Sequence, residues 1–379
     1  MPVTVHDIHE VRTDTDIEPG LAARLRQSAD RTAVTGQPDH EALAELRGSG
    51  LLATAVPREH GGAGGDATDV NRVVERLAQL NPSLAIVAFQ HFAVSSRITE
   101  WGSPAQKRDL LPRLADGTCL AASAWSEQGA GAAKRDLSST AVRLPDGGWV
   151  LNGAKSFTTT ASVADVYLVL VRTGERSGDL GSGYGAAGQT FFLIDAGNPG
   201  LAPDLSLDLI GMRGSATGFV SMHECVVAET DRLGPEGRAA QIIAGVRESG
   251  ASLGAVAVGA SQAALELLVE HLRHRGQLAH PVVRDRLVSM ATRIESARAV
   301  VERAGARSSA DPGTTTLHSK LHASVVAEEV CLEAAGMLGS AGYTAASGLN
   351  RLLADARAVS LMGPANALCR ELVASTWSD

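Results

Sequence analysis

Residues 125–132, Trp125-Ser126-Glu127-Gln128-Gly129-Ala130-Gly131-Ala132, and residues 149–160, Trp149-Val150-Leu151-Asn152-Gly153-Ala154-Lys155-Ser156-Phe157-Thr158-Thr159-Thr160, decide how this chain is read. The first is a turn of small residues and the second is strand-like. Gly129 and Gly131 let a backbone take positive φ and approach a phosphate or a ring, while Ser126, Thr158 and Thr159 supply hydroxyls and free N–H groups. On turn chemistry alone, the same Gly-Ala-Gly run is an ordinary tight turn. The surrounding chain has to discriminate between the two.

Outward from this pair, the hydrophobic spacing changes twice. From Gly20 to Ala115 apolar residues recur every three or four positions (Leu21, Leu25; Leu43, Leu46, Leu51; Val70, Val73, Val74, Leu77, Leu80), which predicts helices. From Ala121 to Asp231 short β-rich runs at 148–151, 166–172, 190–195 and 218–227 alternate with Gly, Asp and Pro. Residues 174–189 have the composition of a flexible hairpin loop. From Arg238 onward long amphipathic helices return, with centres at 253–272, 282–304 and 317–338, and three or four of them imply a bundle. Their Ala and Gly content favours close approach between copies. The expected domains are 1–118 (α-helical), 119–232 (β) and 233–379 (helical bundle).

A chain of 379 residues, 44% of them hydrophobic, buries a core large enough for this plan. The formal charge of −8, with no basic face, argues against nucleic acid as a partner. Cys119, Cys225, Cys331 and Cys369 are far apart with no Cys-x-x-Cys, as expected of reduced thiols in a cytoplasmic protein and not of a disulfide framework or a zinc site. No metal-ligand cluster and no Ser-His-Asp order is evident. The first ten residues lack the apolar core of a secretory signal, and no run approaches the roughly 20 apolar residues of a membrane span.

Glu127-Gln128-Gly129-Ala130-Gly131 followed by Leu151-Asn152-Gly153-Ala154-Lys155-Ser156-Phe157-Thr158-Thr159 resembles the paired signature of the acyl-CoA dehydrogenase family. Val56 to Gly62, Trp101-Gly102-Ser103 through Gln106-Lys107 to Pro112, Gly211 to Thr217, and Gly342-Tyr343 with Arg351 to Arg357 resemble further family segments in the same order. The resemblance implies an α+β, mostly α fold: an N-terminal helical domain, a β-barrel-like middle domain and a C-terminal four-helix bundle, assembled as a homodimer or homotetramer. It implies FAD as cofactor, lying between the β domain and the bundle. Trp125, Ser126 and Gly131 then belong to the flavin turn and Phe157, Thr158 and Thr159 to the ring-flanking strand, plain core packing being the other reading of Phe157. Arg275 falls where the family pairs an arginine with the FAD pyrophosphate of a neighbouring subunit; a solvated helix-end arginine is the alternative. Here the family's Phe-Gly after that arginine is Leu278-Ala279 and its downstream Gln is Arg286.

The family reaction takes a proton from the carbon beside a thioester carbonyl and sends a hydride from the β-carbon to the flavin. The base is a carboxylate shielded from water. In most members it belongs to a Glu-Gly-Thr triplet, which here is Gly363-Pro364-Ala365. In the isovaleryl and long-chain branch it stands on the first long helix of the bundle. Counting back from Arg275 without gaps, that position is Ser249, and Glu248 beside it is the candidate base, displaced by about 100° on a helix. An exposed glutamate in a helix's first turn is the competing reading. Ala132 replaces the family's Ser after Gly131, so a hydroxyl contact near the pyrophosphate or substrate is absent. His91 is a candidate for the acyl pocket, or else a buried histidine with a backbone partner. Asp355 and Arg357 are expected to form a structural ion pair.

The leading function is FAD-dependent α,β-desaturation of an acyl-CoA or carrier-protein thioester, with an electron-transfer flavoprotein or O₂ as acceptor. The alternatives are a monooxygenase on the same fold using reduced flavin and O₂, and a flavin-poor binding protein.

Overall fold

The computed structural model describes residues 17–129, 137–174, 188–344 and 347–377. Gly131 and Ala132, and most of the 174–189 loop, lie outside them. Five helices come first: α1 (Pro19–Thr35), α2 (His40–Gly48), α3 (Ala67–Leu80), α4 (Pro82–Trp101) and α5 (Pro104–Ala115). Their ends are set by local chemistry. The Glu18 carboxylate accepts from Gly20 N and Leu21 N ahead of Pro19, and Asp66 with Asp69 forms a reciprocal capping box on α3. Asn81 closes α3 and opens α4, its Oδ1 accepting from Leu84 N and its Nδ2 donating to Leu25 O. α4 is buried on nearly every side, which makes it the axle of this domain.

Strands β1 (Ala121–Ala124), β2 (Thr140–Arg143), β3 (Trp149–Thr158), β4 (Val166–Arg172), β5 (Gln189–Asp195), β6 (Leu201–Asp204), β7 (Gly218–Val227) and β8 (Arg232–Leu233) form one sheet, ordered β6-β7-β3-β2-β4-β5-β8, with β1 parallel to β4. β4 and the facing β5 are buried almost throughout, as a central pair requires. Gln106 of α5 fastens the sheet to the first domain, donating to Thr230 O and Arg232 O at 2.8 and 3.1 Å.

The last helices are α6 (Ala239–Glu248), α7 (Gly254–His274), α8 (Pro281–Gly305), α9 (Pro312–Met337), α10 (Gly348–Leu361) and α11 (Asn366–Ala374). α7, α8, α9 and α10 pack together as the bundle, and α3 packs on α7, so the two helical domains share one core. Contrary to the sequence reading, one helix, α7, is long and apolar enough to cross a membrane by composition; most of it is buried inside the protein. The four cysteines are free and buried.

The bundle does not begin as one long helix. Between α6 and α7 the chain breaks at Gly250 (φ +86°), where a Cβ would stand 2.4 Å from Ala304 O. Asn71 of α3 holds the break, donating to Gly250 O at 3.0 Å and accepting from Ser252 N at 2.8 Å. Asp355 also departs from expectation. Its buried carboxylate meets Arg351, one turn away at 3.3 Å, because a residue two positions along, Arg357, faces another side of the helix.

Candidate functional site

The chain leaves β1 at Trp125, whose ring tilts against Phe191 with centroids 5.0 Å apart and whose buried Nε1 has no acceptor among the described residues. Ser126 O accepts from Ser156 N at 2.8 Å, drawing the turn onto β3. Glu127 follows, its side chain 5% exposed. It accepts from Lys155 Nζ (2.6 Å), Ser139 N (3.1 Å), and Ser138 N and Oγ (both 2.6 Å). Burial pushes the carboxyl upward, but the Lys155 charge and these hydrogen bonds outweigh it and hold Glu127 down at about 2. Lys155 is fully buried; desolvation lowers its amine to about 8, with Glu127 opposing the fall. Sequence reasoning quoted both residues and gave neither a role. The signal was there: Lys155 shares strand parity with Trp149, Leu151 and Gly153, so it points inward and needs a partner.

Immediately beyond Lys155 the β3–β7 register slips, and Phe157 sits in that bulge at φ +53° with its ring 61% exposed. An aromatic residue at positive φ is uncommon. The core-packing reading of Phe157 is thereby excluded. Thr158 is buried, its Oγ1 without a partner among the described residues, and Thr159 Oγ1 accepts from Thr217 Oγ1 at 3.3 Å. Thr160 N and Ala161 N donate to Ser215 O and Ala216 O, tying the strand end to the 211–217 loop. That loop reaches both helical domains: Gly214 N donates to Ser83 Oγ of α4, and Met212 N donates to Asp355 Oδ1 of α10 at 2.5 Å. Turn, strand end and loop therefore meet where the three domains join.

The residues expected to face substrate are placed differently. His91 is fully buried and points at the sheet, with Nδ1 accepting from Ala121 N at 3.4 Å; desolvation lowers the ring to about 4. The backbone-partnered alternative is the one realised, and the partly exposed positions of α4 nearby are Gln90, Ala93 and Ser96. Glu248 is exposed in the last turn of α6, not the first turn of a long helix, and its Cγ lies 3.8 Å from where a Cβ on Gly313, at the start of α9, would stand. The count back from Arg275 crosses the Gly250 break, so helical register does not carry Ser249 or Glu248 to a predicted direction. Gly363 is exposed in the α10–α11 loop. Lys320 of α9 clamps that loop: its buried amine donates to Ser360 O (3.4 Å), Met362 O (3.1 Å) and Pro364 O (2.6 Å), and burial lowers it to about 8. The sequence offered one clue, a lysine between Thr316 and Ser324 on the buried stripe of α9. Arg275 is exposed at the C-cap of α7. Among the described residues no group of three or more His, Cys, Asp or Glu is arranged to hold a metal.

Helices, then one sheet, then a helical bundle, with an aromatic-bearing turn and a bulged strand at the junction, define a three-domain protein built around one cofactor-sized wall. The chain belongs to the acyl-CoA dehydrogenase family: residues 19–118 match its N-terminal domain, 122–225 its middle domain and 239–377 its C-terminal domain. It is 31% identical to a cyclohexane-1-carbonyl-CoA dehydrogenase of Geobacter metallireducens over 96% of both chains. It is also 31% identical to an L-prolyl peptidyl-carrier-protein dehydrogenase of Pseudomonas fluorescens, over 86% of this chain and 87% of that one. Its fold superposes on that of a solved FAD-dependent dehydrogenase with TM-score 0.82 at 28% identity, covering 96% of this chain and 99% of the other.

Proposed function

We propose that the chain binds FAD against the Trp125–Ser126 turn and the Phe157–Thr159 strand end and desaturates an acyl thioester carried on CoA or on a carrier protein. One observation carries this reading: a turn and a bulged strand fastened side by side, with an aromatic held out at positive φ and the buried donors Trp125 Nε1 and Thr158 Oγ1 lacking partners among the described residues. Such donors fit a flat heterocycle bearing ring nitrogens and carbonyl oxygens. FAD, when bound, supplies the acceptor for the hydride leaving the β-carbon.

The chain's own residues bind, orient and move the proton. Glu248 is the proposed base, taking the α-proton on a carboxylate oxygen. The thioester has to cover it, because a solvated carboxylate is too weak a base for a C–H proton. Arg275, exposed at the end of α7, suits a diphosphate presented by a second copy. A homo-oligomer is further supported by exposed Val282 and Val288 on α8 and Val325 and Leu332 on α9.

Anaerobic addition of acyl thioesters to the purified yellow protein is the test, with bleaching of the flavin band expected. Glu248→Gln should slow bleaching by about 100-fold or more; an unchanged rate removes Glu248 from the mechanism. The exposure of Glu248 favours one second reading, a reaction that needs no α-proton base. Flavin reduced only by an added reductase, with turnover consuming O₂, would establish it. A colourless protein that cannot be reconstituted with FAD leaves a binding protein instead.

A further inference from the structure

We infer that the buried Glu127–Lys155 pair is a positioning joint: it sets the spacing between the two walls of the flavin site before any flavin arrives. The inference rests on the FAD reading above.

The ladder geometry shows why a joint is needed. β1, which delivers the turn, pairs with β4 and not with β3, so the sheet's own hydrogen bonds do not fix the turn against the strand that carries Phe157 and Thr158. Two consecutive turn residues make that link instead. Ser126 takes the Ser156 N–H on its carbonyl, and Glu127 takes the Lys155 amine on its carboxylate. The same carboxylate accepts from the backbone N–H groups of Ser138 and Ser139, so it also fixes where the chain returns to start β2. Among the described residues its donors, Ser138, Ser139 and Lys155, all come from these two segments.

Position along β3 gives the joint its reach. The register slip begins directly after Lys155, and Phe157 and Thr158 are two and three residues on. Between Lys155 and Thr158 the pairing to β7 is interrupted, and Ser156 is tied to the same turn through Ser126 O, so a shift of the anchored amine is passed on to Phe157 and Thr158. Burying two charges where a packed apolar pair would serve the core equally well also points to orientation and not to cohesion as the gain. An ion pair with hydrogen bonds fixes direction and distance; a methionine against a leucine fixes neither.

Lys155→Met, Glu127→Gln and the double variant Glu127→Gln/Lys155→Met, which keeps an oxygen to accept from Ser138 N and Ser139 N, test this, with FAD affinity of the apoprotein read from quenching of flavin fluorescence and apoprotein stability read by thermal denaturation. Each single variant is expected to bind FAD at least about tenfold more weakly, the usual scale for residues that orient others. The double variant has no stranded charge. It is expected to melt close to wild type and still bind FAD about tenfold more weakly, a split that a merely structural pair would not produce. Folded variants that bind FAD as tightly as wild type overturn the joint and leave the flavin reading standing. A wild-type protein that takes up no FAD overturns both. A measurement on the wild type needs no variant: amide exchange at Ser138, Ser139 and Ser156 should already be slow without FAD. Fast exchange there that slows only on FAD addition would show that the flavin, and not the pair, builds the wall.

Discussion

Lys155 in the middle domain and Lys320 in the bundle are both buried, and burial lowers both amines to about 8, yet they are held in different ways. Lys155 faces a carboxylate at 2.6 Å, whereas Lys320 donates to three backbone carbonyls. The first arrangement fixes a turn to a strand across the sheet. The second fastens the loop at the end of α10 that carries Gly363. A charge pair is all-or-none, because losing one partner strands the other; a carbonyl cage degrades one acceptor at a time.

The largest expected effect follows from that asymmetry. Lys155→Met leaves Glu127 buried among neutral donors and should cost about 3–5 kcal/mol in the first urea transition. Lys320→Met leaves neutral carbonyls and should cost about 1–3 kcal/mol. Equal losses in the two variants would mean that the counter-charge of Lys155 contributes nothing beyond its hydrogen bonds.

Titration sharpens the comparison next. A lysine whose folded pKa of about 8 lies below its unfolded value binds fewer protons folded than unfolded between those two pH values, so its contribution to stability rises as pH climbs from about 8 toward 10.5. For Lys320 the window is worth about 3 kcal/mol at most. Wild type should gain on Lys320→Met across it, and curves that run parallel from pH 7 to 10 would break the assignment. Glu127 works at the other end. Its folded pKa of about 2 lies below the ordinary value, so its stabilisation is complete above about 4.5 and is lost as pH falls toward 2. Glu127→Gln should flatten that acid limb, and an unchanged limb would assign it to other carboxylates.

The two sides of the site also differed in how far the sequence disclosed them. The strand was legible because its constraints are local, alternation along β3 and hydroxyls in a row, whereas Gly129 does not take the positive φ expected of the turn and Gly131 lies outside the described residues. Helices α7, α8 and α9 were legible from their apolar spacing. The substrate side was not, because its geometry is set across the chain. Nothing near Glu248 announces that Asn71, far away in α3, caps the break at Gly250, and a gapless count passes straight through that break. His91 stayed open between a pocket residue and a buried histidine, since an apolar helix buried on most sides gives no moment from which to choose. Arg351 as the partner of Asp355 was available from i,i+4 spacing; adjacency in a motif favoured Arg357 instead.

The smallest expected effect concerns Phe157, where the flavin side stores strain that the Lys320 side does not share. A non-glycine residue at φ +53° carries a penalty of about 1–2 kcal/mol, and glycine removes it while adding about 0.5–1 kcal/mol of chain entropy. Phe157→Gly should therefore leave the apoprotein up to about 1.5 kcal/mol more stable, and Phe157→Ala, which keeps the Cβ, should not. Both remove the ring that faces outward, so both should weaken FAD binding. Stabilisation by glycine alone together with weaker binding in both variants would mean that the fold tolerates the strained backbone to present the ring. If alanine stabilises as much as glycine, the gain comes from withdrawing an exposed ring from water, and the bulge holds no strain for function to use.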